Sequence, residues 1–203
     1  MFTDLGILIE LIQENYNKIS LQWEELHTEN VLNLKRKQVK HIREDAEILN
    51  EIWNYRTLLN KETLMLTFAL YSFEFPNSVV TSRVKAQNSI EYKIENYIRT
   101  HEGGNIPIKK CINDLFGIRI VIDEEFSFEN VKEYVKNNYP QYKCIDSSKS
   151  EYRATHIYFE KNNYSFPWEL QVWSSFDEEK NYESHRKYKQ EYTNWENNEK
   201  GGE

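Results

Sequence analysis

Apolar residues recur at three- and four-residue intervals through the first third of the chain, the spacing that places them on one face of a helix. A first stripe is formed by Leu5, Leu8, Ile9, Ile12, Tyr16 and Ile19. A second is formed by Ile42, Ala46, Leu49 and Trp53. No Gly or Pro interrupts residues 7–75, so capping residues such as Thr28 and Asn60 are expected to separate the helices. The pattern predicts a helical N-terminal module over residues 1–76.

After Pro76 the apolar residues form short, β-branched runs that alternate with helical spacing. Strands are predicted at 79–84, 117–122, 142–145, 152–159 and 166–173. One helix between them is marked by Ile90, Ile94, Tyr97 and Ile98. It ends at Gly103-Gly104, and a second helix begins at the cap residue Ser127. We therefore expect an α+β fold, a mixed β-sheet flanked by helices with a helical N-terminal extension.

Composition favours a folded protein without a membrane span. The chain has 203 residues, of which 39% are hydrophobic and 14% aromatic, enough for a core. The longest apolar run, 64–70, is shorter than the roughly 18 residues that a span needs, and it is expected to be a buried segment. The N-terminus lacks the features of a signal peptide, so a cytoplasmic protein is expected. The sheet domain is predicted over 77–195, ending in a charged helical segment, and residues 196–203 are expected to fray.

The charge balance and the cysteines restrict the classes of partner and cofactor. Asp and Glu outnumber Lys and Arg by 33 to 26, for a net charge of −7. This disfavours a surface devoted to nucleic acid but permits a local basic patch. Cys111 and Cys144 have no further Cys or His at ligand spacing, so we expect core thiols rather than a zinc site or a disulfide.

One local basic cluster lies in the N-terminal module. It consists of Lys35, Arg36, Lys37, Lys40 and Arg43, with His41 among them. Such a run could bind the phosphates of a nucleic acid, with an affinity that falls steeply with salt. The more common role of such a run is the solvated face of a helix, since Glu44, Asp45 and Glu47 lie within helical pairing distance.

The last predicted strand carries polar side chains on one face. Because side chains alternate along a strand, Glu169 and Gln171 project away from the apolar residues of that strand. Arg119 projects likewise from the strand at 117–122, and Asp114 lies just ahead of that strand. Two carboxylates are thus predicted at one sheet surface, with Arg119 between them. Carboxylates can hold Mg²⁺ while a cation neutralises a phosphoryl group, although solvated or salt-bridged surface roles are more common for such residues.

Four short motifs, in order, resemble the synthetase domain of the RelA/SpoT family. Residues 83–89 match R-x-K-x-x-x-S, and residues 114–119 are similar to D-I-A-G-I-R. Residues 152–156 resemble the end of G-Y-R-S-x-H, and residues 169–171 resemble E-I-Q. His185 follows where the family places a His on its last catalytic helix. Each motif is weak by itself, but their ordered occurrence is specific.

The resemblance implies a nucleotidyltransferase-like synthetase that transfers pyrophosphate from ATP to the ribose 3′-hydroxyl of GDP or GTP and releases AMP. It implies that Asp114 and Glu169 are catalytic and bind Mg²⁺, Glu169 holding the metal or deprotonating the attacking hydroxyl. The implied ATP-binding residues are Arg83, Lys85, Ser89 and Arg119, with the arginines around the adenine and the other two on phosphates. The implied acceptor-binding residues are Tyr152, Arg153, His156 and Gln171, with Tyr152 stacked on the acceptor base.

Structural roles stay open for several of these residues. Lys85 could be a solvated lysine at a helix start, Ser89 a helix cap and Tyr152 an edge-strand tyrosine. His156 and His185 could be packed or surface side chains.

Two departures from the family pattern concern the acceptor. Glu151 replaces the Gly before Tyr152 and places an anion where the acceptor's phosphates would pass. Trp173-Ser174 replaces an Arg-Thr pair, which removes a cation and adds a stacking surface.

These departures favour a second hypothesis for the acceptor. Toxic members of the family pyrophosphorylate the 3′ end of tRNA and are neutralised by an antitoxin, and the basic cluster would suit a tRNA. A further alternative is an inactive nucleotide-binding domain, which the presence of both Asp114 and Glu169 disfavours. The family's oligomerising helices usually follow the catalytic domain, where this chain has few residues, so no oligomeric state is predicted.

Overall fold

The structure is a computed structural model that describes residues 2–27 and 31–187. Its helices are α1 (Thr3–Leu26), α2 (His41–Glu44), α3 (Ala46–Ser72), α4 (Gln87–Thr100), α5 (Ile108–Cys111), α6 (Phe128–Asn138) and the described part of α7 (178–187). Its strands are β1 (Ser78–Val84), β2 (Phe116–Ile122), β3 (Lys143–Asp146), β4 (Thr155–Phe159) and β5 (Trp168–Ser174). Single 3-10 turns cover Glu102–Gly104 and Ser175–Asp177.

The five strands form one mixed sheet in the order β1-β2-β5-β4-β3. The β2–β5 pair is parallel, and the other neighbouring pairs are antiparallel. β5 is the middle strand, and all of its residues are buried because side chains pack on both of its faces. The predicted α+β fold with a mixed sheet is confirmed.

β4 begins later than the sequence pattern predicted. Tyr152 exchanges backbone hydrogen bonds of 3.0 Å with Lys149 in a tight turn, in which Ser150 adopts a positive φ of 54°. Because the turn already satisfies the backbone of Tyr152, pairing with β5 starts only at Thr155, opposite Val172.

The boundary predicted at Asn60 was wrong, because α3 continues through it. Asn60 is exposed on the helix surface, where an Asn side chain costs little. The cap is Asp45, whose side chain accepts a hydrogen bond from the Glu47 backbone N–H at 3.1 Å. The other predicted cap, Thr28, lies outside the described residues.

The N-terminal helices share one hydrophobic core with the sheet. Tyr16 of α1 packs edge-on against Trp168 of β5, with ring centroids 5.4 Å apart. The indole N–H of Trp168 donates to the hydroxyl of Tyr55 in α3 at 2.9 Å. Cys111 is buried in this core, and Cys144 packs against it.

The apolar run 64–70 is not buried throughout. Leu66 and Leu70 are in the core, whereas Leu64, Met65 and Phe68 are each more than half exposed. The run lies in α3, and a helix that packs on one side buries only one face of an apolar segment. No helix in the described part of the chain is long and apolar enough to cross a membrane.

Candidate active site

Two rows of residues cross β1, β2 and β5 on the sheet face opposite the main core. The register aligns Arg83, Gly117 and Glu169 in the first row. It aligns Thr81, Arg119 and Gln171 in the second row. On each strand the two members are two positions apart, so all six positions face the same side of the sheet. They line a pocket of about 180 Å³ together with Ser82, Asp114 and Ile118.

Gly117 leaves the middle of the first row open. A Cβ at this position would meet no atom within 4 Å, so space is left between Arg83 and Glu169. The structure thus brings the carboxylates Asp114 and Glu169 to one pocket. Arg119 lies in the second row beside Gln171, rather than between the two carboxylates as the sequence suggested.

Two lysines contact the carboxylate of Asp114. Lys85 Nζ lies 2.7 Å from Oδ2, and Lys93 Nζ lies 2.9 Å from Oδ1. Burial raises the pKa of Asp114, but the charges of Lys93 and Lys85 outweigh burial and hold that pKa well below its usual value. Burial lowers the pKa of Lys85, an effect that Asp114 opposes. Two ammonium groups on one carboxylate give this part of the pocket an excess of positive charge.

Three side chains hold the carboxylate of Glu169. Tyr158 donates its hydroxyl hydrogen to Oε1 at 2.9 Å, and His156 Nδ1 also lies 2.9 Å from Oε1. The Gln171 amide donates to Oε2 at 2.7 Å. Burial raises the pKa of Glu169, but the hydrogen bond and charge of His156 lower it more, so the net shift is downward. Glu169 is therefore a fixed carboxylate at neutral pH.

Arg119 is held on several sides at the second row. Its Nε and NH2 donate to Gln171 Oε1 at 3.1 and 3.0 Å. Its guanidinium lies over the Trp173 ring, 3.7 Å from the centroid. Burial lowers the pKa of Arg119, yet a guanidinium stays charged at any physiological pH.

Tyr152 lies in a group of aromatic rings beside Arg119. Its ring meets those of Trp173 and His185 edge to face, at centroid distances of 5.8 and 5.4 Å. Its hydroxyl lies 3.1 Å from His156 Nε2. Burial raises the pKa of Tyr152 to about 12, so the hydroxyl stays protonated. Neither Tyr152 nor the two histidines is a solvated surface group.

Comparison with known proteins identifies the family. The model of the region found in RelA/SpoT proteins matches residues 82–193, more than half of the chain. The chain belongs to the RelA/SpoT family. A search of curated proteins found no significant match.

Several solved structures are similar to the chain at low identity. One is the small alarmone synthetase 1 of Bacillus subtilis bound to its product pppGpp, 20% identical, with 71% of this chain and 83% of that chain covered and a TM-score of 0.43. Another is the small alarmone synthetase 2 of Bacillus subtilis, 19% identical, covering 71% and 81% with a TM-score of 0.41. A third is a GTP pyrophosphokinase family protein from Streptococcus pneumoniae, 20% identical, covering 74% and 77% with a TM-score of 0.39.

Not every residue of the RelA/SpoT motifs lines the pocket. Ser89 is the third residue of α4 and is absent from the pocket lining, and the helix cap is Ala86, so the capping role considered for Ser89 is excluded. Arg153 is exposed, and its guanidinium donates to the backbone carbonyls of Ser150 and Tyr152. The side chain of Lys85 is only 13% exposed and contacts Asp114, so it is not a solvated lysine.

Three residues of the site were missed by the sequence reasoning. Lys93 follows Ser89 by one helical turn, and Tyr158 follows His156 on the same strand face, so helical and strand spacing could have found them. Asn181 carried no such signal. It is fully buried in α7 and holds the backbone of the loop before β4, accepting from the Arg153 N–H at 2.7 Å and donating to the Arg153 carbonyl at 2.8 Å.

The basic cluster is not one helix face. Residues 34–40 form turns that lie beside the segment before α5. The Val39 N–H donates to the Ile106 carbonyl of that segment at 2.9 Å. Arg43 pairs with Glu95 of α4, and Lys37 lies 3.7 Å from Asp45. Lys35 and Arg36 are exposed. Neither contact joins residues three or four apart in one helix, so the expected helical pairing is not seen among the described contacts of the cluster.

Within the described residues, no group of three or more His, Cys, Asp or Glu side chains could by itself hold a metal ion. Asp114 and Glu169 are the carboxylates of the pocket lining. Mg²⁺ is commonly held by one or two carboxylates together with substrate phosphates, so this donor set fits Mg²⁺ that arrives with a nucleotide.

Proposed function

We propose that this protein transfers a pyrophosphate group from ATP to the ribose 3′-hydroxyl of a guanine nucleotide, GDP or GTP, and releases AMP. The observation that supports this best is the pocket that Asp114 and Glu169 share with Arg83 and Arg119. Membership of the RelA/SpoT family supports the same reaction class. Carboxylates and arginines around one open space suit a reaction that moves phosphate groups between nucleotides.

In this reaction the 3′-oxygen of the acceptor bonds to the β-phosphorus of ATP. The bond from that phosphorus to the α,β-bridging oxygen breaks, and AMP leaves with the electron pair. The hydroxyl proton passes to Glu169. Among the described contacts, Oε2 accepts only from Gln171, so it keeps a lone pair for this proton. The low pKa of Glu169 makes it a base that acts once bond formation has acidified the hydroxyl.

ATP would lie over both rows of the pocket. Arg83 and Arg119 present guanidinium planes suited to a purine, and Lys85 with Lys93 supply the excess positive charge for its phosphates. Asp114 and Glu169 would hold Mg²⁺, which supplies Lewis acidity to the phosphoryl oxygens when bound.

The second candidate acceptor is the 3′ end of a tRNA. His156 is engaged by Glu169 and Tyr152, and Arg153 by carbonyls of its own loop. Glu151 adds a negative charge next to Tyr152, and its carboxylate lies 3.6 Å from Lys180 Nζ. The region around Tyr152, where the acceptor would bind, thus has few cationic side chains free to contact phosphates. This favours the terminal ribose of a tRNA, which carries one phosphodiester, over GDP or GTP, which carry a polyphosphate. Exposed Lys35 and Arg36 could contact the rest of the RNA.

One experiment tests both acceptors. Purified protein is incubated with Mg²⁺, ATP labelled on the γ-phosphate, and GDP, GTP or deacylated tRNA. Label on GDP or GTP supports the proposal, and label on tRNA alone replaces it with the second candidate. Nucleotide binding without transfer to any acceptor would leave an inactive binding domain.

Glu169→Gln tests the participation of Glu169 in the transfer. The amide keeps the size of the side chain but cannot take the proton, so transfer should fall by at least about a hundredfold. Glu160→Gln is the control, since Glu160 pairs with Lys109 at 3.0 Å away from the pocket. Near-normal transfer by Glu169→Gln would remove Glu169 from the reaction.

A further inference from the structure

Trp173 lies where the two nucleotide sides of the site meet. It is fully buried on β5, on the sheet face that carries the pocket, in a small cluster with Val121 and Ala154. Tyr152 packs against this cluster. The side chain therefore has one fixed position, from which it contacts residues of both sides.

The face of the indole contacts Arg119, the residue proposed for ATP. The guanidinium carbon lies 3.7 Å from the ring centroid, close enough for a strong cation–π contact. Gln171 Oε1 accepts hydrogen bonds from Nε and NH2 of the same guanidinium. The ring and the amide together fix the plane of Arg119. A cation at position 173 would instead repel Arg119.

The edge of the indole contacts Tyr152, the residue proposed for the acceptor. The indole N–H donates to the Tyr152 hydroxyl at 3.3 Å, and the two rings meet edge to face. The same hydroxyl lies 3.1 Å from His156 Nε2. Trp173 thereby sets the position of the tyrosine ring relative to Arg119.

We propose that Trp173 is a positioning residue shared by the two nucleotide sites, orienting Arg119 with its ring face and Tyr152 with its N–H. The proposal rests on the proposed function, which assigns Arg119 to ATP and Tyr152 to the acceptor. It predicts that the ring face of Trp173 affects the binding of ATP and that its N–H affects the binding of the acceptor.

Two substitutions separate the face from the N–H. Trp173→Phe keeps an aromatic face but loses the hydrogen-bond donor. The KM for the acceptor that takes the label should therefore rise roughly three- to tenfold, which corresponds to the loss of one hydrogen bond. The KM for ATP should change less. Trp173→Leu loses both contacts, so both KM values should rise. Equal effects of Trp173→Phe on the two KM values would overturn the proposal.

A double-mutant cycle tests the link to Tyr152. If the N–H acts through the Tyr152 hydroxyl, Trp173→Phe should have little further effect on the acceptor KM in a Tyr152→Phe background. Additive effects would contradict the link. Trp168→Phe is the matched control, because Trp168 is also buried on β5 and donates to a tyrosine, Tyr55, but in the main core. It should reduce stability without changing the ratio of the two KM values.

An NMR measurement tests the contact between Arg119 and Trp173 without requiring catalytic turnover. The Arg119 Nε–H signal, assigned with Arg119→Lys, should show a ring-current shift in the wild type that persists in Trp173→Phe and disappears in Trp173→Leu. If no acceptor takes label but this pattern is seen, the proposed function fails while the positioning of Arg119 stands. A wild-type signal without the shift would overturn the positioning role itself.

Discussion

His185 lies among groups that oppose its protonation. Its ring stacks on Trp173 with centroids 5.5 Å apart, and Arg119 NH2 lies 3.3 Å from its Nε2. Burial, and then the charges of Arg119 and Arg83, lower the pKa of His185 to about 4. The ring is therefore neutral at neutral pH, and its Nε2 can accept a hydrogen bond from Arg119.

This lowered pKa predicts a pH dependence of stability. An unfolded histidine has a pKa near 6.5, so between about pH 6.5 and pH 4 the unfolded chain binds the proton and the folded chain does not. The contribution of His185 is complete above pH 6.5 and is lost as the pH falls toward 4. His185→Gln should flatten the free energy of unfolding over this interval, measured by urea denaturation. An unchanged slope in His185→Gln would contradict a ring that stays neutral in the folded chain.

The link between α4 and α5 needs left-handed backbone at consecutive residues. Gly103 and Gly104 have φ values of 66° and 81°. A Cβ on Gly104 would lie 2.9 Å from the Lys40 backbone nitrogen and 3.1 Å from a side-chain carbon of Ile98, whereas one on Gly103 would meet nothing within 4 Å. The two glycines thus share a conformation but differ in the space around them.

Alanine substitutions should separate the cost of a left-handed backbone from the cost of a steric clash. Gly103→Ala meets only the left-handed penalty, about 1 kcal/mol. Gly104→Ala adds a clash with the backbone of the N-terminal segment, so its cost should reach about 2–4 kcal/mol. Urea denaturation of the two variants would measure the difference, and equal losses would mean that the segment around Lys40 moves away freely.

At the scale of the whole molecule, helices and sheet depend on one core. Ile9 of α1, Leu59 of α3 and Leu170 of β5 are fully buried in the same hydrophobic cluster. Ile9→Ala should therefore destabilise the entire protein by about 2–5 kcal/mol, not α1 alone. Far-UV circular dichroism and the near-UV signal of the site aromatics should report one coincident urea transition in both proteins. Separate transitions would show that the N-terminal helices unfold independently.

The sequence by itself determined the elements and the faces of the strands. Strand alternation is local, so the common face of Glu169 and Gln171 could be predicted from their spacing, and the motifs identified the family before any contact was known. Local patterns gave the wrong element boundaries where tertiary packing sets them. Asn60 lies inside α3 instead of ending a helix, and the turn at Tyr152 makes β4 begin later than predicted.

Only the tertiary structure decided how the charges of the site are arranged. Lys85, Lys93 and Asp114 belong to three separate segments, and their contact depends on how α4 packs against the segment between α5 and β2. The sheet register, which is a long-range property, placed Arg119 beside Gln171. The joint contact of Trp173 with Arg119 and Tyr152 arises in the same way, because three segments distant in sequence meet on one face of the sheet.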